Sequence, residues 1–283
     1  MRLILLTALT MVAFASNSVL NRLAVDSGAI DPQSFAMIRV LSGAVALGMI
    51  LTVRGGTLPL LARGRGVGGL SLTVYMIGFS LAYVTLDAGL GALILFGTVQ
   101  VTMFGWGALR GTTPTRRQVA GATAAFAGLV YALWPGADAR ATDLTGALLM
   151  VLAGVGWAAY TLVGRGSKDP LASTAANFVV TLPLILILLV GASLHAAPSG
   201  IGLAILCGAV TSGLGYALWY HVLPQIAAQS AAVIQLSVPI IAIVAGAVLL
   251  GERVGLDLIL SAVLVLGGIA VAITAPKAPA GRS

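Results

Sequence analysis

Few side chains in this sequence can do chemistry, and almost all of them stand inside long apolar runs. They are the amides Asn17, Gln100 and Gln235, the hydroxyls Ser16, Ser80, Thr98 and Ser237, the rings Tyr75, Phe79, Phe96, Trp157, Tyr160 and Tyr216, and a single arginine, Arg39. No Asp, Glu or Lys lies near the middle of any run; the carboxylates fall in links or within about a turn of a run's end. An amide in hydrocarbon must find a partner or water. It is either a bond between helices, worth about 0.6 kcal/mol on average, or a contact for a solute. Tyr75 and Phe79 are four residues apart, Trp157 and Tyr160 three, and Phe96 and Gln100 four, so each pair shares a helical face. Such pairs build a flat apolar wall with a polar edge, which suits a neutral organic solute. Trp106, Trp134, Trp219 and Tyr220 read instead as interface anchors near the ends of runs, and Tyr83 reads either way.

Arg39 stands one to two turns into its run. An arginine at mid-membrane costs about 2.5–3.5 kcal/mol on insertion scales. One reading is snorkelling to the nearby surface or pairing with Asp26 or Asp31. The other is a group for a solute carboxylate, or a gate. Gly91 and Gly97 flank the centre of one run, and Pro239 interrupts another. Pro239 frees the carbonyl of Gln235 from its helical bond, which makes a hinge or a solute contact. The small residues Gly121, Ala125, Gly267 and Gly268 read first as close-packing positions.

Other chemistries have no support in the residues. The lone cysteine, Cys207, sits in an apolar run, and no Cys/His spacing suits a metal. His195 and His221 have no nucleophile at a recognisable spacing, and no phosphate loop, HExxH or GxSxG occurs. No enzyme activity, cofactor or metal is expected. The net charge of +7 is spread over short links rather than along a basic stripe, so nucleic acid is not an expected partner.

The elements that must position these groups follow from composition. Of 283 residues, 59% are hydrophobic and 8% charged, against roughly 25% charged in soluble domains. Such a surface must face lipid. The apolar runs predict ten membrane helices at about 3–22, 34–53, 67–85, 88–109, 118–134, 144–164, 172–191, 200–219, 226–250 and 256–274. The first run continues too far, without a small-residue cleavage site, to be a signal peptide. With a cytoplasmic N-terminus, eleven basic residues fall on the cytoplasmic side: Arg2, Arg54, Arg63, Arg65, Arg110, Arg116, Arg117, Arg165, Lys168, Lys277 and Arg282. Four remain at the other side or nearby helix ends, Arg22, Arg39, Arg140 and Arg253, with most of the acidic residues. The positive-inside rule therefore puts both termini in the cytoplasm for an even helix count.

The two halves of the chain repeat. Phe14 through Arg22 aligns with Trp157 through Arg165, and both are followed by Asp-Pro, at 31–32 and 169–170. Gly78 through Tyr83 aligns with Gly215 through Tyr220, Leu109-Arg110-Gly111 with Leu249-Leu250-Gly251, and Gly128 with Gly268. Residues 1–136 and 137–283 thus form two five-helix units. Five is odd, so the second unit inserts inverted, the architecture of secondary transporters.

On these residues the chain resembles the drug/metabolite transporter superfamily, in its ten-helix EamA-type branch. The resemblance lies in the pattern around Phe14 and Asn17 and in Arg39 within Phe35–Ala44. It extends to Gly213–Tyr220, to Gln235–Pro239, and to the run from Leu249 to Arg253. It is nearest to exporters of aromatic and other neutral amino acids of the YddG type. The resemblance implies a central cavity lined by helices 1, 3, 4, 6, 8 and 9, with 2, 5, 7 and 10 peripheral. It departs at Val99, where the first half lacks the counterpart of Pro239. The expected activity is export of a small neutral or zwitterionic solute through a bacterial-type inner membrane by alternating access. The absence of a mid-span carboxylate favours a facilitator. A proton-coupled exporter of other solutes, or a channel, are the alternatives. One chain holds both repeats, which is compatible with a monomer; the sequence leaves the oligomeric state open. Cysteines introduced at the adjoining ends of helices 5 and 6 should label from the non-cytoplasmic side. Labelling from the cytoplasm would end the inverted-repeat scheme.

Overall fold

Backbone in hydrocarbon can satisfy its N–H and C=O groups only within a helix or a closed barrel, and the apolar runs are helical throughout. The computed structural model describes residues 1–111, 114–133, 143–164, 167–226 and 228–274. The expected unit boundary at 136/137, Trp134, Arg140, Arg165 and the tail with Lys277 and Arg282 lie outside the described residues. Among the described residues there is no strand, only a single bridge between Ile30 and Ala196.

The helices are α1 (Arg2–Asp26), α2 (Pro32–Val53), α3 (Arg65–Ala82), α4 (Ala88–Leu109), α5 (Arg116–Leu133), α6 (Leu144–Gly164) and α7 (Pro170–Leu188). Then α8 (Pro198–Ile205) passes into a π-helical stretch, Leu206–Leu214, and on into α9 (Gly215–Val222), which ends in a 3-10 turn, Leu223–Gln225. Last come α10 (Ala228–Gln235), α11 (Ser237–Leu250) and α12 (Leu256–Ile273). Eight stretches are long and apolar enough to cross a membrane: α1, α2, α4, α6, α7, Pro198–Gln225, Val233–Leu250 and α12. The expected helices over 67–85 and 118–134 exist as α3 and α5, 18 residues each, but are not among the eight. Glycines and hydroxyls crowd the first half of α3, and α5 opens on Arg116-Arg117-Gln118.

The chain differs from the expected boundaries at α1, which runs to Asp26 rather than 22. Asn21 and Arg22 find partners across the bundle there, and nothing breaks the helix before Ser27-Gly28. The interruption expected near Pro239 falls at Leu236, between α10 and α11. Pro239 itself is the third residue of α11, where a helix has no N–H bond to lose.

The helix pairings come in matched sets. α3 packs on α6, and α1 on α9 and the π-helical stretch; α4 packs on α6, and α11 on α1; α3 packs on α7, and α2 on α8 and the π-helical stretch. α2 with α7, and α5 with α12, are pairs of counterparts. Exchanging the two halves would produce this pattern. Equivalent glycines share it. Gly111 after α4 and Gly251 after α11 both take left-handed backbone, with φ of 84° and 67°, which only glycine adopts without cost. At the α5–α12 contact a Cβ on Gly128 would lie 2.8 Å from the Val265 nitrogen, and one on Gly268 would lie 2.6 Å from that of Ala125. Exposed leucines and valines, such as Leu41, Val45, Val244, Val248, Leu260 and Val263, cover the outside.

The α5–α12 contact therefore depends on backbone touching backbone. Gly268→Leu should destabilise the protein by about 1–3 kcal/mol, read as a lowered melting temperature in detergent. Gly267→Leu, where an added Cβ meets nothing within 4 Å, should leave it unchanged.

Candidate functional site

The centre of the bundle is built around Asn17 of α1. Its Oδ1 accepts from Thr211 Oγ1 at 2.8 Å, Ser212 Oγ at 3.0 Å, Arg39 Nη2 at 3.1 Å and Cys207 Sγ at 3.3 Å. Its Nδ2 donates back to the carbonyls of Ala13 and Phe14. The π-helical stretch makes this convergence. In an α-helix Ser212 would stand about 140° around from Cys207. The wider turn, closed by i→i+5 bonds, brings residues 207, 211 and 212 to one face. A Cβ on Gly208 would collide with Ser42 and the Arg39 backbone, so glycine is what lets the stretch lie against α2.

Arg39 is wholly buried, about 10 Å into α2 from Pro32. It neither snorkels nor pairs with Asp26 or Asp31. Its Nε donates to Ser212 Oγ at 3.1 Å, and Nη2 donates to Asn17 Oδ1 and Tyr75 Oη, both at 3.1 Å. The guanidinium carbon lies 5.0 Å from the Phe79 ring centre and 5.5 Å from that of Tyr75, within cation–π range. Nη1 is buried and has no hydrogen-bond partner.

Tyr75 begins an aromatic wall. Its ring is 5.3 Å from Phe79 and 4.8 Å from Trp157. Trp157 stacks on Tyr160 at 5.3 Å and meets Tyr216 at 5.5 Å. The fold thus joins Asn17, Arg39, Tyr75, Phe79, Trp157, Tyr160 and Tyr216 in one cluster. Ser80 lies beside it, accepting from Asn21 Nδ2 at 2.9 Å. Phe96 packs at its margin. Gln100 and Gln235 are half-buried, with no hydrogen bond among the described residues, and are not drawn into the cluster. Gly91 accommodates the Tyr83 ring, while Gly97 admits Leu129 and Val265, so both serve packing.

Several expectations need correction. α2 and α7 are central, not peripheral. α2 brings Arg39, and α7 brings Phe178, whose ring lies 6.0 Å from Tyr216, and Thr174, which bonds Tyr160. The signal for α7 was present: Thr174, Asn177 and Thr181 form a polar stripe on an otherwise apolar helix. Trp219 is not an interface anchor; it is buried with its edge toward Phe14 at 6.0 Å. Tyr220 is not one either, since its hydroxyl accepts from Thr174 Oγ1 at 2.9 Å. Trp106 is exposed, with Arg110 stacked 4.6 Å above it. Tyr83 is fully buried, its ring 4.7 Å from Phe79.

The two faces of the bundle differ. On the face bearing Arg54 and Lys168, a cavity of about 980 Å³ is lined by these residues with Asp169, Leu171, Tyr220 and His221. From Tyr220 the bonds run through Thr174 to Tyr160 and the aromatic wall. On the opposite face the links are tied together. Arg22 pairs with Asp26 at 3.1 Å and Asp87 at 3.7 Å, and donates to the carbonyls of Tyr83 and Val84. Glu252 accepts from the Ala88 and Gly89 N–H groups that open α4. Burial pushes its carboxyl up, against the pull of the Ala88 bond. Asp143 accepts from Thr85, a bond that holds its carboxyl below the usual value. Asp31 caps α2 at Ser34 and accepts from the His195 N–H at 2.7 Å. Burial works against its charge, but those bonds outweigh it and hold its carboxyl low.

Residues 144–274 match the EamA-like transporter family. Over 278 residues the chain is 47% identical to the uncharacterized protein PA1977 of Pseudomonas aeruginosa, covering 98% of this chain and 96% of that one. It also matches the crystal structure of a protein 18% identical to it, with a TM-score of 0.64 and 96% of each chain covered. At that identity the likeness is one of fold.

The Asn17 oxygen is the shared acceptor of the centre. Asn17→Leu removes the acceptor of Arg39 Nη2 and Ser212 Oγ, while Thr211 Oγ1 still reaches the Cys207 carbonyl, and should cost about 1–3 kcal/mol, read as a fall in melting temperature. Asn17→Asp keeps the acceptor for Arg39 but sets its second oxygen against the carbonyls of Ala13 and Phe14 that the amide now bonds, so it should melt between the parent and Asn17→Leu.

Proposed function

Because the chain belongs to the EamA-like transporter family, we propose that this multi-pass membrane protein is an inner-membrane facilitator for small neutral or zwitterionic metabolites. Aromatic or other large apolar amino acids are the first candidates, exported by alternating access. On this reading ten helices span the membrane as two inverted five-helix units with both termini in the cytoplasm. The observation that carries it is the cavity on the face of Arg54 and Lys168, whose lining residue Tyr220 is joined by hydrogen bonds through Thr174 to Tyr160, stacked on Trp157. That basic face is the cytoplasmic one by the positive-inside rule. The conformation is then open to the cytoplasm and shut outside by the ties of Arg22, Glu252 and Asp31.

A large planar solute with a polar end fits such walls. Aromatic rings offer broad apolar contact, while hydroxyls and amides at the margin fix orientation. The matched helix pairings support the alternate state, in which the halves exchange shapes and the outer ties release. A proton relay would need an ionisable carboxylate in the pathway. Asp31, Asp143 and Glu252 hold structural bonds on the opposite face, and Asp169, the carboxylate at the cavity, caps the start of α7 by accepting from the Ala172 N–H.

In proteoliposomes the protein should move such amino acids down their own gradient with no imposed proton gradient. Flux that appears only with a proton gradient would favour a coupled exporter, and single-channel currents a channel. Each aromatic pair contributes about 0.5–1.5 kcal/mol. On this reading the solute stacks on the Trp157 face, so losing that one contact in Trp157→Ala should lower flux per inserted protein about two- to tenfold.

A further inference from the structure

We infer that Arg39 is the carboxylate-binding group of the transport site, so that the solute is a monocarboxylate with an apolar body, an α-amino acid above all; this rests on the transport reading above. The reason lies in the accounting of one cation. A guanidinium has five N–H donors. Three are used, by Ser212, Asn17 and Tyr75. The two on Nη1 have no partner, in a side chain with no exposed surface. The groups that hold Arg39 are an amide oxygen, two hydroxyls and two ring faces, with the Cys207 thiol sharing the same Asn17 oxygen, and none is a carboxylate. Such neighbours hold a guanidinium in place without cancelling its charge.

Nor is a resident carboxylate at hand. Among the described residues the ion pairs are those of Arg22 with Asp26 and Asp87. Asp31 and Glu252 are held by backbone N–H groups elsewhere. Arg65 shows what a structural arginine looks like in the same bundle. Its Nε and Nη1 end on the carbonyls of Pro59 and Ser173 and on Asn177 Oδ1, at 3.1, 2.7 and 2.6 Å, and it leaves no buried nitrogen without a bond. Arg39 has two of its five N–H donors free, is held in one orientation and has no exposed surface. Those are the conditions under which a carboxylate gains most from a guanidinium.

The remainder of the site suits the rest of an amino acid. Tyr75 touches both Arg39 and Trp157, so the cation and the aromatic wall are contiguous. The faces of Trp157, Tyr160 and Tyr216 can take an ammonium or an apolar side chain.

The test is counterflow in proteoliposomes with each of a panel of radiolabelled amino acids, set against its own carboxamide. Each transported acid should exceed its amide by about ten- to hundredfold, the range for a hydrogen bond to a charged group. In Arg39→Gln the ratio should fall toward one. Asn17→Asp sets a resident carboxylate against the guanidinium, so in inserted protein the acid-to-amide ratio should fall toward one, which keeps the inference testable if Arg39→Gln fails to insert. Equal flux of acid and amide through the parent protein overturns the role of Arg39 and leaves the transport reading standing. So does an unchanged ratio in inserted Arg39→Gln. No flux for any pair overturns the transport reading, and this inference with it.

Discussion

The centre of this protein depends on one uncancelled charge. A guanidinium lies deep in the helical bundle, held by an amide, a serine and a tyrosine rather than by a carboxylate. In a low-dielectric interior an unpaired cation is costly, so what surrounds it must be exact in geometry. Four helical elements meet to provide that: α1 for Asn17, α2 for Arg39, α3 for Tyr75, and the π-helical stretch for Thr211 and Ser212. Three of the four lie early in the sequence, ending by Ala82, and the π-helical stretch begins only at Leu206, so distant parts of the chain meet at the point where the charge sits.

The π-helical stretch shows how a local distortion serves the site. A regular α-helix over Leu206–Leu214 would turn either Thr211 or Ser212 away from Asn17. The wider turn presents both, and Gly208 removes the side chain that would hold α2 at a distance. On the other side of the wall, α7 supplies Thr174 between two tyrosine hydroxyls, linking the cavity to the stacked rings by hydrogen bonds. Packing and polarity are thus arranged by the same contacts.

The two faces of the bundle are held by different means. The acidic face closes through charge pairs and helix-start bonds, as in Arg22 with Asp87 and Glu252 with Ala88. These lie at the surface, where ion pairs are weak, so the closure is strong only as a set. The basic face keeps Arg54 and Lys168 around a cavity instead. On the proposed alternating-access reading, the surface ties of the acidic face are the contacts that release.

The sequence by itself determined the membrane character, the helical class and the approximate spans, because apolar length in a charge-poor chain leaves the backbone no other choice. It also identified Asn17, Tyr75, Phe79, Trp157, Tyr160 and Tyr216 as the polar and aromatic minority within those spans. What it could not determine was adjacency. Helical periodicity says which residues share a face, not which helix that face meets. Hence Gln235 and Gln100 carried the same signal as Asn17 but stand outside the cluster, and Trp219 and Tyr220 looked like surface anchors but are built inward. Only the tertiary structure decided that Arg39 turns away from Asp26 and Asp31 toward Asn17, that α7 belongs to the centre, and that a π-helical turn supplies two of the donors. Those outcomes are set by packing between distant segments, where the competing partners differ by small energies and only shape selects among them.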